Sequence, residues 1–205
     1  MRANNLGEIL IAGYTKSVNF PTTAGAYRTT AYGSDREAYI TKLDNNLSTL
    51  LISTFFGGSN RDDIRDLILD SDDNIFVTGS TCSNDFPMTD SSYDNSFNGN
   101  EDVFISKMSP DLSSLYRSTY LGNSNDDEGH CLLQDNHGNI LVGGYTSSIN
   151  YPTTPNAFDD SYNGGYNDCF ISMLDSTLSQ NIVSINNQEN KVIAWVYVNL
   201  STTER

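Results

Sequence analysis

The sequence is short of positive charge: its 205 residues carry 11 Lys and Arg against 26 Asp and Glu, a formal net charge of −15. Attachment to a phosphate backbone or an anionic bilayer draws its free energy largely from pairing with Lys and Arg, so nucleic acid and membrane surfaces are poor partners for this chain. The acids are scattered rather than gathered in a tail, which serves solubility before cation binding. Long apolar runs are missing too. No uninterrupted apolar stretch reaches the length of a membrane-crossing helix, so no membrane insertion is expected. The opening residues Met1-Arg2-Ala3-Asn4-Asn5-Leu6 lack the apolar core of a signal peptide, and an export signal would stand upstream of them.

Cysteine is scarce and unpatterned. Cys82, Cys131 and Cys169 are odd in number and lack CxxC spacing, and their equivalents in the repeats described below are not cysteine. Those equivalents are Lys16 and Ser147, Asp66, and Ala38 and Val103 respectively. A disulfide or zinc framework shared by the repeats is thereby excluded, and free thiols are expected. Histidine occurs only as His130 and His137, neither recurs, and neither GxSxG nor HExxH is present. Both histidines are read as turn or loop residues, and no catalytic residue is assigned. Runs of Glu, Lys, Ala and Leu are absent, while Asn, Ser, Thr, Asp and Gly abound, which favours short strands and many turns over helices.

What the chain does have is a repeat. Ile9-Leu10-Ile11-Ala12-Gly13-Tyr14-Thr15 returns as Ile75-Phe76-Val77-Thr78-Gly79-Ser80-Thr81 and as Ile140-Leu141-Val142-Gly143-Gly144-Tyr145-Thr146. Each copy is followed by an aromatic-proline pair, Phe20-Pro21, Phe86-Pro87 or Tyr151-Pro152, at intervals of 66 and 65 residues. A second apolar segment begins at Ala38, Val103 or Cys169, preceded each time by an acid: Glu37, Asp102 or Asp168. Further strands are expected from Leu50 and Leu115, and short ones at Leu67-Ile68-Leu69 and Leu132-Leu133 after an acidic loop. Asp/Asn/Gly connectors such as Ser71-Asp72-Asp73-Asn74 suit hairpin turns because these residues tolerate positive φ. The pattern predicts an all-β protein, a β-propeller of about three four-stranded blades of roughly 65 residues each.

The series Gly138-Asn139-Ile140-Leu141-Val142-Gly143-Gly144-Tyr145-Thr146, then Tyr151-Pro152-Thr153-Thr154-Pro155-Asn156-Ala157-Phe158, Tyr162-Asn163-Gly164-Gly165 and Asp168 with Phe170-Ile171-Ser172, resembles the SBBP (seven-bladed β-propeller type) repeat family of bacterial secreted and cell-surface proteins. The resemblance runs from residue 7 to about residue 185. It implies a scaffold or adhesion module at the cell surface or outside the cell, with no catalytic motif in the repeat.

The repeats span residues 1–185, the first starting within a blade, and residues 186–205 form a divergent segment. Here Ile182-Val183-Ser184-Ile185 reads as the last strand of the third unit. The tail Val192–Val198 reads as a strand completing a blade, as pairing with the first unit would allow. Twelve strands are expected in all. Propellers have 4–8 blades, and an open array leaves apolar faces uncovered. Exposing about five large side chains costs on the order of 10 kcal/mol, a whole domain's stability. The sequence thus predicts an incomplete or open propeller that meets the remaining blades of a larger chain or self-associates through its open edges.

Two sets of acids are candidate cation ligands. Asp70 and Asp72 imitate the opening of a calcium loop, although a hairpin turn explains them more simply. Glu37, Asp102 and Asp168 recur, and either ring one end of the propeller to hold a cation or amine, or hydrogen-bond to turn amides. No cofactor is expected, calcium being the one ion considered. The functional expectation is a non-catalytic binding scaffold for protein or glycan; the alternative is a hydrolase or lyase framed by the propeller, with a cation at the loop acids.

Overall fold

The computed structural model describes residues 1–154, 157 and 159–179, and the backbone of 195–197. Twelve strands pair antiparallel in chain order into three four-stranded sheets. The first holds β1 (Arg2–Ala3), β2 (Ile9–Thr15), β3 (Glu37–Leu43) and β4 (Leu50–Phe56). The second holds β5 (Asp62–Leu69), β6 (Ile75–Thr81), β7 (Asp102–Met108) and β8 (Leu115–Leu121). The third holds β9 (Asp127–Gln134), β10 (Ile140–Thr146), β11 (Asp168–Leu174) and β12 (Trp195–Tyr197). These are the expected four-stranded blades, in an incomplete propeller.

The blades stack through two apolar layers. Leu10, Ala38, Ile40 and Phe56 of the first blade meet Leu67, Ile75, Val77 and Phe104 of the second. Ile68, Phe76, Val103 and Ile105 on the second blade's opposite face meet Leu132, Ile140, Val142 and Phe170 of the third. Alternate residues of β5, β6 and β7 thus serve different layers, which is why their apolar runs look continuous in sequence. Every residue of β6 is buried. The first strands of neighbouring blades also touch, β1 on β5 and β5 on β9.

The turn after the third strand of each blade places a leucine in the left-handed region: Leu47 at φ 58°, Leu112 at 51° and Leu178 at 49°. For a leucine this conformation costs about 1–2 kcal/mol. Leu112 and Leu178 offset it by full burial against the preceding blade, whereas Leu47 stands 61% exposed.

Four expectations need correction. A two-residue strand, β1, does stand beside β2 in the first unit, with Arg2 opposite Leu10. The tail strand β12 pairs with β11 of the third blade, Phe170 opposite Val196, and not with the first. The strand expected at Leu67 begins at Asp62, because a bulge between Ile64 and Asp66 lets pairing with β6 run on past Gly79. His130 lies within β9 at the matching bulge, not in a loop; His137 does sit in a turn. The strand expected at 182–185 lies outside the described residues.

Candidate functional site

Each second strand ends in threonine, Thr15, Thr81 or Thr146, and the register sets acids on either side of it. Asp62 and Asp102 flank Thr81, Asp127 and Asp168 flank Thr146, and Glu37 faces Thr15. These acids are all but sealed, Asp102 and Asp127 showing no exposed area at all. Buried carboxylates need donors, and the adjoining loops supply them. Gly58 N donates to Asp62 at 2.8 Å, Asn98 N to Asp102 at 2.8 Å, Asn123 N to Asp127 at 2.8 Å and Asn163 N to Asp168 at 2.6 Å. Glu37 takes Gly33 N at 2.6 Å and Ser34 N at 3.2 Å, and the Arg28 guanidinium at 3.1 Å. Hydroxyls add to the set: Thr81 and Ser83 donate to Asp62, and Ser148 to Asp127 at 2.8 Å. Each loop at this end of the blades is therefore pinned by a carboxylate at the foot of a strand.

Removal from water raises the proton affinity of Asp62, Asp102 and Asp127. Burial pushes Asp62 up to about 7 against the pull of Thr81, Gly58 and Ser83. It raises Asp102 to about 6, with the neighbouring Asp127 charge adding to the effect, and raises Asp127 as well.

A second polar row follows the inner strands. Arg36 pairs with Asp63, Arg65 reaches Asp63 at 3.6 Å and Glu128 at 3.2 Å, and His130 meets Glu128 at 3.2 Å. Arg65 and His130 are the extra residues of the two bulges, which is what turns both toward Glu128. Their charges are mutually engaged.

The two sets of sequence candidates do not form one site. Asp70 and Asp72 lie in the β5–β6 hairpin, at the opposite end of β6 from Asp102, whose partner is Thr81. Asp70 accepts from Asp72 N at 3.0 Å and Asn74 N at 2.9 Å and pairs with Lys107 at 3.1 Å, as a turn-forming residue does; Asp72 is exposed. Glu37, Asp102 and Asp168 occupy equivalent places on successive blades, buried and holding loop amides. Asp62, Asp63, Asp127 and Glu128 resemble loop acids in sequence and stand out as site residues only through their strand pairing. Their signal was the recurrence of paired acids at the period of the repeat.

Among the described residues no three His, Cys, Asp or Glu side chains gather as a metal cluster, and the three cysteines are unpaired. Burial raises the Cys82 thiol to about 11, so it is a poor nucleophile at neutral pH. Two shallow clefts border the third blade, beside Tyr93 and Pro152 and beside Ile149 and Tyr162, and neither has Asp62, Asp102 or Asp127 in its wall.

Comparison with known proteins finds two segments, residues 49–87 and 117–152, that match the SBBP family, described as a beta-propeller repeat. A search of curated proteins finds no match.

Proposed function

Because the chain carries SBBP β-propeller repeats, we propose that it acts as a non-catalytic scaffold whose loops bind a protein or glycan ligand, at a cell surface or outside the cell. One observation carries the reading: the recurring acids are buried and hold loop amides, so they build a rigid platform and do not line an open cleft. Above that frame the loops display Tyr32, Ile149 and Tyr166, the last 95% exposed. Tyr32 is stacked under the Arg28 guanidinium at 4.2 Å, and Tyr14 under Arg36 at 4.7 Å. Pre-ordered aromatic faces with a polar tip suit sugar rings and peptide side chains. The support for a place outside the cell is the resemblance of the repeats alone.

A glycan array followed by titration calorimetry tests this. Tyr32→Ala and Tyr166→Ala are expected to weaken binding at least about tenfold with little change in melting temperature, since both side chains are exposed. Turnover of glycoside or ester substrates that vanishes in Asp102→Asn would replace this reading with the hydrolase one.

The same proposal gives the open faces a partner. Leu133 and Ile171 of the third blade occupy the places of Ile68 and Ile105 in the second, which the third blade covers. Leu133 is 61% and Ile171 39% exposed, a face shaped for one more blade of the same kind, supplied by a second copy. Light scattering is expected to report a mass above the 22.6 kDa of one chain, and Leu133→Lys with Ile171→Lys to lower it. A monomer that binds no apolar dye rejects the idea.

A further inference from the structure

We propose that the junction between the second and third blades holds a calcium ion, bound by the carboxylates of Asp102 and Asp127 and the main-chain carbonyls of Asn123 and Asn125.

The starting point is one oxygen. Asp102 has no exposed area, and its Oδ2 accepts from Asn98 N, but its Oδ1 is buried without any hydrogen-bond partner. A desolvated carboxylate oxygen left without a donor is costly, and folded proteins seldom keep one unless something absent from the chain itself completes it. Two glycines show where this oxygen points. A Cβ placed on Gly122 would stand 2.9 Å from Asp102 Oδ1 and 2.7 Å from Asp127 Oδ2. One placed on Gly99 would stand 2.8 Å from Asp102 Oδ1, 2.6 Å from the Asn123 carbonyl oxygen and 2.1 Å from that of Asn125. Asp102 Oδ1 thus stands beside both glycines, with Asp127 Oδ2 at Gly122 and the Asn123 and Asn125 carbonyls at Gly99, oxygens that only residues without a side chain let pack so close together.

The neighbouring junction shows what is missing. Between the first and second blades the same positions are Glu37 and Asp62, and Arg28 supplies the cation at 3.1 Å from Glu37. Arg28 is placed by its N–H to Thr54 Oγ1 and by its carbonyl, which accepts from Phe55 N. In the second blade the residue with those two bonds, to Thr119 Oγ1 and from Tyr120 N, is Asp94. A built-in cation at one junction is thus replaced by another acid at the next, and among the described residues neither Asp102 nor Asp127 has a basic partner.

The donor set selects the ion. All four groups are hard oxygens with no imidazole or thiolate, which disfavours zinc and copper. Calcium accepts mixed carboxylate and carbonyl ligands with flexible geometry and completes its shell with water, whereas magnesium demands a near-octahedral set and sheds water reluctantly. Because Asp102 belongs to the second blade, Asp127 to the third, and Asn123 and Asn125 to the loop 122–126 between them, the ion would fasten two blades and fix that loop.

Chelator-treated full chain, with and without calcium at 100 times its dissociation constant, provides the test. A rise in melting temperature of about 5–10 °C with one ion bound per chain is expected. Asp102→Asn and Asp127→Asn should abolish the rise, while Asp70→Asn, in the distant hairpin, keeps it. If the first two variants do not fold, hydrogen exchange on the wild-type chain decides: calcium should slow the amides of 98–99 and 123–127. No calcium effect, an effect retained in Asp102→Asn, or slowed exchange confined to the Asp70–Asn74 hairpin overturns the proposal.

Discussion

Asp62 is one side chain whose environment, rather than its type, sets its behaviour. Its carboxyl titrates near 7 in the fold and near 3.8 in the open chain, so between those values the folded protein keeps a proton that the unfolded chain has released. Stability therefore falls as pH rises from about 4 to about 7, by an amount on the order of 3–4 kcal/mol for this group. In chelator the melting temperature should be higher at pH 5 than at pH 7.5, and Asp62→Asn should flatten that slope. The opposite sign holds for Asp44, Asp111 and Asp135, held below the usual carboxylate range mainly by turn hydrogen bonds. What they add is present above pH 4 and is lost as their folded forms take up protons. The leucines of the third turn give a second residue-scale test. Leu47→Gly should stabilise by about 0.5–1 kcal/mol, since it relieves a positive φ and gives up few contacts. Leu112→Gly should cost about 2 kcal/mol or more, because that side chain fills the layer between blades.

At the scale of the element, the bulges in β5 and β9 decide which glycines are indispensable. Gly79 and Gly144 face main-chain oxygens of the bulged strand; an added Cβ would sit 1.8 Å from the Asp63 carbonyl and 1.9 Å from that of Glu128. Gly13 occupies the same place in the first blade but meets only the Tyr39 ring, at 3.6 Å, because β1 is too short to bulge. Gly79→Ala should therefore destabilise by about 3 kcal/mol or more, and Gly13→Ala by no more than about 0.5 kcal/mol, as denaturant melts would show. The glycine recurs in all three copies and is plain in sequence. Its reason is not, since acidic residues at 62–63 do not signal a strand opposite the glycine. Asp62-Asp63 and Asp127-Glu128 look like loop residues by type, and only pairing with Thr81 and Thr146 makes them strand residues.

For the whole molecule, the same residue type at the same repeat position has different worth in different blades. Ile105 is fully buried between the second and third blades, while Ile171 is 39% exposed on the far face of the third. Ile105→Ser should cost about 3 kcal/mol or more and Ile171→Ser less than about 1 kcal/mol in the isolated chain, measured by thermal or urea unfolding. If a covering blade is added in trans, the second figure should approach the first.

The repeat, its period, the all-β class and the four strands of a blade are legible in the order of the residues. These follow from local patterns: apolar segments bounded by turn residues and landmarks returning at constant spacing. That β12 joins the third blade, that Arg65 and His130 stand on bulges, and that Asp102 of the second blade meets Asp127 of the third emerge only in the folded molecule. Those outcomes depend on contacts between residues far apart in the chain, such as Arg65 with Glu128 and Asp102 with Asp127, whose energies arise only when the blades stack and water is removed from between them.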